Sequence, residues 1–254
     1  MNWSIWGLLL MLALPAEYET RINASREAFF RQDFQVAATR ATAARKLFPD
    51  DPESYEAHTS ALLFRLRKQA GVNGSGLLLS KQAPDPSTLA EFLRLQAEGV
   101  RQAERCLRDS PRNARCEFLL AKLHLNKLWL NLQVLDRKTG LGEYRSARAG
   151  LERVLVRDPN HARALTALGW IEQVVAERSW AVRRLLGGGS HDKALAHIHR
   201  ATSCSSCSEL DVAEAKFALA ELLQREKRQK EAEPILRELR RRFPPQNGNG
   251  DKVR

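Results

Sequence analysis

Glycine and proline are scarce in this 254-residue chain, at 14 and 10 residues, and the β-branched residues that strands favour are thin. So little helix-breaking and strand-forming material excludes a sheet-rich fold and points to helices built on Ala and Leu. Charge of one sign is also short: 41 Lys and Arg stand against 30 Asp and Glu, a formal charge of +11. That excess suits nucleic acid, an anionic membrane or an acidic protein, and does not choose among them. A membrane-spanning run is missing near the N-terminus, where the apolar stretch Ile5 to Ala16 (IWGLLLMLALPA) is too short to cross a bilayer. It matches the apolar core of a secretory signal, with Leu14-Pro15-Ala16 as the cleavage site before Glu17, although no Lys or Arg precedes it. Residues 1–16 are therefore expected to be a signal peptide and the chain periplasmic or secreted. If the segment is instead a first helix packed on the rest, the chain is cytoplasmic. Membrane association is expected only through this segment.

Chemistry-bearing motifs are absent too. There is no GxSxG and no HExxH. Gly187-Gly188-Gly189-Ser190 lacks the Lys-Ser/Thr ending of a phosphate-binding loop and reads as turn glycines. The six histidines are scattered. His197 and His199 precede Cys204-Ser-Ser-Cys207, but two residues apart on a helix they face different directions, and no second CxxC exists to complete a zinc site. Ser208 stands where a haem attachment needs His. No catalytic residue, metal or cofactor is expected, and the chain is not read as an enzyme. The dense basic cluster Arg237, Arg240, Arg241 and Arg242 closes a helix, where it complements the dipole. Without interleaved exposed aromatics it gives no nucleic-acid module, so nucleic acid is not expected as a partner.

What is present is repetition. Ala213 to Pro244 reads AEAKFALAELLQREKRQKEAEPILRELRRRFP: a Leu219-Ala220 pair in a first helix, a small Ala232 early in a second, Leu236 and Leu239 on the same face, and Pro244 to stop it. Stepping backwards, a fourth unit opens at His161 to Leu165 with the pair Leu168-Gly169, then Ala194, Ile198 and Ala201. A third opens at Ala114 with Leu120-Ala121, then Ala147, Leu151, Val154 and Pro159. A second opens near Pro52 and ends with Gly99, Ala103, Cys106 and Pro111. A first carries Ala37, Ala41, Ala44 and Pro49 after a helix containing Phe29 and Phe30. In units one, two, three and five the small residue (Ala37, Gly99, Ala147, Ala232) precedes the closing proline by one constant interval.

This pattern resembles the tetratricopeptide repeat over residues 17–245. The resemblance implies an all-α fold, an α-solenoid of about five irregular antiparallel helix pairs, without fixing any chemistry. Residues 71–88, rich in Gly, Ser and Pro, are expected to be an insertion loop, and residues 246–254 a disordered tail. First helices are expected to be lengthened in units three and four, through Leu135 and about Leu186. The stretch VRRLLGGGSHDKALAHI is similar to a segment of exported bacterial repeat proteins of unassigned role.

Stacked first helices line a concave groove. The resemblance implies groove residues at the second, fifth and ninth positions of each first helix: Arg115, Phe118 and Lys122; Arg163, Thr166 and Trp170; Glu214, Phe217 and Glu221. The expected function is a non-enzymatic scaffold binding a protein or peptide, an acidic one being favoured by the basic charge. Trp170 and Arg163, about two turns apart, are expected to form one grip. The alternative is a solute-binding subunit associated with a transporter, holding a small ligand between the lengthened helices, as in the architecturally cousinly T-component of TRAP transporters. Oligomeric state is not encoded legibly. Four cysteines in an exported chain favour disulfides. Cys106 and Cys116 face each other across a proline turn, as a bridge or as two buried thiols, and Cys204 and Cys207 form a local bridge or stay free.

Overall fold

The computed structural model describes residues 16–71, 83–137 and 139–245. Eleven α-helices occur among them, with no strand. They are α1 (Ala16–Phe30), α2 (Phe34–Leu47), α3 (Pro52–Gln69), α4 (Pro86–Asp109), α5 (Ala114–Trp129), α6 (Leu141–Arg157), α7 (Ala162–Ala176), α8 (Trp180–Leu185), α9 (His191–Thr202), α10 (Glu209–Arg225) and α11 (Gln229–Arg242). Five pairs result, α1–α2, α3–α4, α5–α6, α7–α9 and α10–α11, with α8 as an extra short helix. The expected tail, most of the expected insertion loop, and all of the expected signal peptide except Ala16 lie outside the described residues.

Local chemistry sets most helix starts. Asp51 accepts from the Glu53 amide and Asp85 from the Thr88 amide, each just ahead of a proline at the first helical position. Asn113, Ser190 and Ser208 cap α5, α9 and α10 in the same way. The closing prolines sit in like turns, where Asn113 N–H donates to Ser110 O at 3.0 Å and His161 N–H to Asp158 O at 3.1 Å. The small residues are where helices touch. Ala37, Ala147, Ala194 and Ala232 are fully or almost fully buried. A Cβ on Gly99 would come within 2.7 Å of Tyr55 Cβ, and one on Gly169 within 2.7 Å of Ile198 Cγ1. Each pair thus packs closer than any larger residue would permit.

Two expectations need correction. The insertion loop does not extend to Thr88, because the Asp85 cap and Pro86 start α4 there. The long first helix of unit four is broken: α7 ends at Ala176, and Glu177 to Ser179 separate it from α8. The lengthened helix of unit three does run on, but as a π-turn over Leu130–Val134, in which Leu135 N–H donates to Leu130 O at 3.0 Å. It stops at Asp136, whose φ is +48°.

Candidate functional site

The first helices do not line an open groove. α3 packs on α1 and α5, and α10 on α7. α5 meets α7 through Phe118 and His161, whose rings lie 4.8 Å apart. The curl then closes on itself, because α1 docks on α10. Phe30 stacks on Phe217 at 5.3 Å and touches Phe243, and these rings pack with Leu239 and Ala213 in one apolar cluster. Beside them Arg26 reaches Asp211 at 2.6 Å, across 185 residues of sequence. The five inner helices therefore line a half-open chamber of about 700 Å³, a size typical of ligand sites.

One end of the chamber is a floor of buried ions. Arg163 donates to Glu53 at 3.2 Å and Glu56 at 2.9 Å, and its Nε lies 3.3 Å from Glu214. Its guanidinium also covers the Phe118 ring at 4.7 Å. Lys122 sits 3.6 Å from Glu214 and 3.9 Å from Glu56. Arg115 is bidentate, to Asp51 at 2.8 Å and Glu53 at 2.6 Å, and Tyr18 donates to the same Asp51 at 2.7 Å. Burial alone would raise the Glu214 carboxyl, but Lys122, Arg163 and Arg26 outweigh it and hold it down at about 2. Arg163 is likewise held charged against its burial by Glu56, Glu214 and Glu53. In the floor four cations (Arg26, Arg115, Lys122, Arg163) meet five carboxylates (Asp51, Glu53, Glu56, Asp211, Glu214), so no cation there is left over.

The rim at the other end is different in kind. Trp129, Trp170 and Phe64 present ring surface, and Arg67, Arg225, Glu221 and Gln133 supply the polar groups. Gln133 and Trp129 are on and beside the π-turn, a distortion that recurs at functional sites.

Of the nine positions obtained from the repeat register, Lys122, Arg163, Thr166, Trp170, Glu214, Phe217 and Glu221 face the chamber. Arg115 belongs to the floor through its ion pairs but does not line the chamber, and Phe118 is buried in the core under Arg163 and beside His161. Thr166 is buried too, its hydroxyl donating to the Ala162 carbonyl at 2.9 Å. The expected Trp170–Arg163 grip is not formed. Trp170 carries Arg225 at 5.2 Å instead, while Arg163 is committed to the floor. The same register counted from Pro52 gives Glu53, Glu56 and Ser60, of which Glu56 and Ser60 line the chamber and Glu53 completes the floor. The sequence therefore holds a signal for these three. Arg67, Trp129 and Gln133 fall outside the register and carry none. Cys106 is bonded to Cys116 across the proline turn, with Cα atoms 6.2 Å apart, and Cys204 to Cys207.

Residues 138–172, spanning α6 and most of α7, match the tetratricopeptide repeat family model. No curated protein matches the sequence. Among solved structures, a thermophilic TPR protein of Thermus thermophilus is similar at 19% identity, over 91% of this chain and 93% of that one, with a TM-score of 0.48. The five helix pairs with their buried small residues make an all-α helical-repeat fold, and within it the segment 138–172 matches the tetratricopeptide repeat.

Proposed function

We propose that the chain is a non-enzymatic binding scaffold that grips a short segment of a partner protein inside the chamber lined by its five inner helices. Tetratricopeptide folds mediate protein–protein interaction, and the single observation that carries this reading is the convergence of all five inner helices on one aromatic- and arginine-lined space. Such side chains are the usual anchors of a protein interface. Trp170 is central to it: it is half-buried, lines the chamber and carries the Arg225 guanidinium over its ring at 5.2 Å. Peptides selected from a displayed random library on the immobilised protein provide the test. Trp170→Ala should weaken the selected peptides by about 2 kcal/mol, roughly thirtyfold. Unchanged affinity removes the chamber from the interaction.

The scaffold works outside the cytoplasm on this reading, supported by the apolar Ile5–Ala16 run and by two disulfides in a chain with four cysteines. Intact mass of protein recovered from the producing cell should place the mature N-terminus at Glu17. Retention of residues 1–16 on a cytosolic pool would count against it.

A second reading has its own observation. Closure of α1 on α10 gives a chamber within the size range of small-ligand pockets. On that reading the occupant is a small solute, as in a transporter-associated binding subunit, and the display selection would return no consensus.

A further inference from the structure

The floor and the rim of the chamber differ in how fully their charges are answered. In the floor each cation has a carboxylate, and even the Arg163 Nε, which makes no hydrogen bond, lies 3.3 Å from Glu214. At the rim, Arg67 lies over the Phe64 ring at 4.5 Å with no ion pair among the described residues, and its buried Nε has no hydrogen-bond partner. Arg225 spends one nitrogen on Glu177 at 3.1 Å, but its own buried Nε is also unpartnered. Among the described residues only Glu221 faces both arginines, and it stands 4.0 Å from Arg225, too far for a good hydrogen bond. Burial raises its carboxyl, and the attraction of Arg67 and Arg225 does not fully reverse this. Gln133 Oε1, on the π-turn, is a buried acceptor with no donor. Buried polar atoms left unmade are costly, and each calls for an explanation in a native structure.

These open valences match one ligand chemistry. Arg67, without an ion pair among the described residues, and Arg225, which spends only one nitrogen on Glu177, leave guanidinium N–H groups that suit an anion. The Trp129 and Trp170 rings beside them want a flat apolar body. The Gln133 oxygen wants an N–H or O–H next to the acid. A cation would meet Arg67 and Arg225 with like charge, and a neutral apolar body would leave Arg67 and the Arg225 Nε unanswered.

We infer that the chamber rim is an anion-selecting site for an organic acid with a flat apolar body, its acid group seated between Arg67 and Arg225 and its body against Trp129 and Trp170. This rests on the chamber being the binding site, and it adds what the occupant must carry. The acid arrives either as a free small molecule or within a partner's polypeptide, since both offer the same groups.

Calorimetric titration with three phenylalanine derivatives at neutral pH tests it. N-acetylphenylalanine carries a negative charge, N-acetylphenylalaninamide none, and phenylalaninamide a positive one. The acid should bind about tenfold or more tighter than the neutral amide, in keeping with hydrogen bonds to a charged group, and the cation weakest of all. Arg67→Gln should erase the gap between acid and neutral amide while leaving the amide's own affinity unchanged, and Arg67→Lys should keep part of it. Glu221→Gln, which removes the competing carboxylate, should tighten the acid, a gain that misfolding does not produce. Melting curves of each variant confirm that the chamber is intact. Equal binding of the three derivatives, or a gap that survives Arg67→Gln, overturns the inference. So does failure of all three to bind while library peptides still depend on Trp170, an outcome that leaves the scaffold reading standing. Loss of the Trp170 dependence as well takes both down. If the gap is found, comparison with acetyl-Ala-Ala-Phe-Glu-Ala-Ala-amide assigns the source: tighter peptide points to a partner's chain, tighter free acid to a small solute.

Discussion

Arg163 shows at the residue scale how a correct register can carry a wrong environment. Its place on the inner face of α7 is legible from the repeat pattern, and an inner face of an open solenoid is wet. Closure of the ring changes that: the side chain is 11% exposed and answers Glu53, Glu56 and Glu214 from two other helices. A solvated arginine would cost little to remove, whereas removing one partner of a buried ion cluster leaves uncompensated charge behind. Arg163→Ala should therefore lower stability by about 3–5 kcal/mol, read as a fall in denaturation midpoint. A loss under about 1 kcal/mol would mean that the floor is hydrated and loosely held. Phe118 departs from its expected groove position for the same reason, its ring being the surface on which Arg163 rests. Glu56 and Ser60 hold the same register positions on α3 that Phe118 and Lys122 hold on α5, so the repeat pattern does reach them.

At the scale of the element, the chain reads well wherever a helix pair depends on small residues and a stopping proline. Ala37, Gly99, Ala147 and Ala232 mark helix crossings, and Pro49, Pro111 and Pro159 each lie in the turn that follows. Legibility fails where no such punctuation exists. Glu177-Arg178-Ser179 holds neither glycine nor proline, yet α7 stops before it. The π-turn after Trp129 is likewise unmarked, being a register adjustment of hydrogen bonds with no residue of its own. Cys106 and Cys116 span a turn that the sequence does mark. Their bridge ties the end of α4 to the start of α5, and in the chain-entropy account so short a loop contributes roughly 3 kcal/mol. Replacing both cysteines with alanine, or reducing the protein, should lower the melting temperature accordingly. If thiol titration of the oxidised protein finds four free cysteines, the bridge does not form. Loss of the Cys204–Cys207 bridge should matter less, because it closes only a three-residue separation in an exposed linker.

At the scale of the whole molecule nothing in the repeat arithmetic foretells a ring. Curvature is the sum of small rotations between neighbours, and here the π-turn and the α8 insertion perturb that sum. The residues that meet at the seam, Arg26 with Asp211 and Phe30 with Phe217 and Phe243, come from opposite ends of the chain. The seam is small beside the cores it joins. Units one and two share one apolar cluster, three and four another, and four and five a third, so each half keeps its own support without the seam. Phe30 is the seam's centre, buried against two rings. Truncating a buried Phe costs about 3–5 kcal/mol when it sits in a continuous core. In a repeat array the same loss is met by local opening, because each unit answers mainly to its neighbours. Phe30→Ala should thus leave most helix content in place while α1 and α11 lose amide-exchange protection and α5 to α7 retain theirs. The radius of gyration in solution should rise as the ring opens, and ligand affinity should fall with it, since the chamber exists only when α1 closes on α10. Uniform loss of protection across all helices would show instead that the seam belongs to a single cooperative core, and that the molecule has no open state short of unfolding.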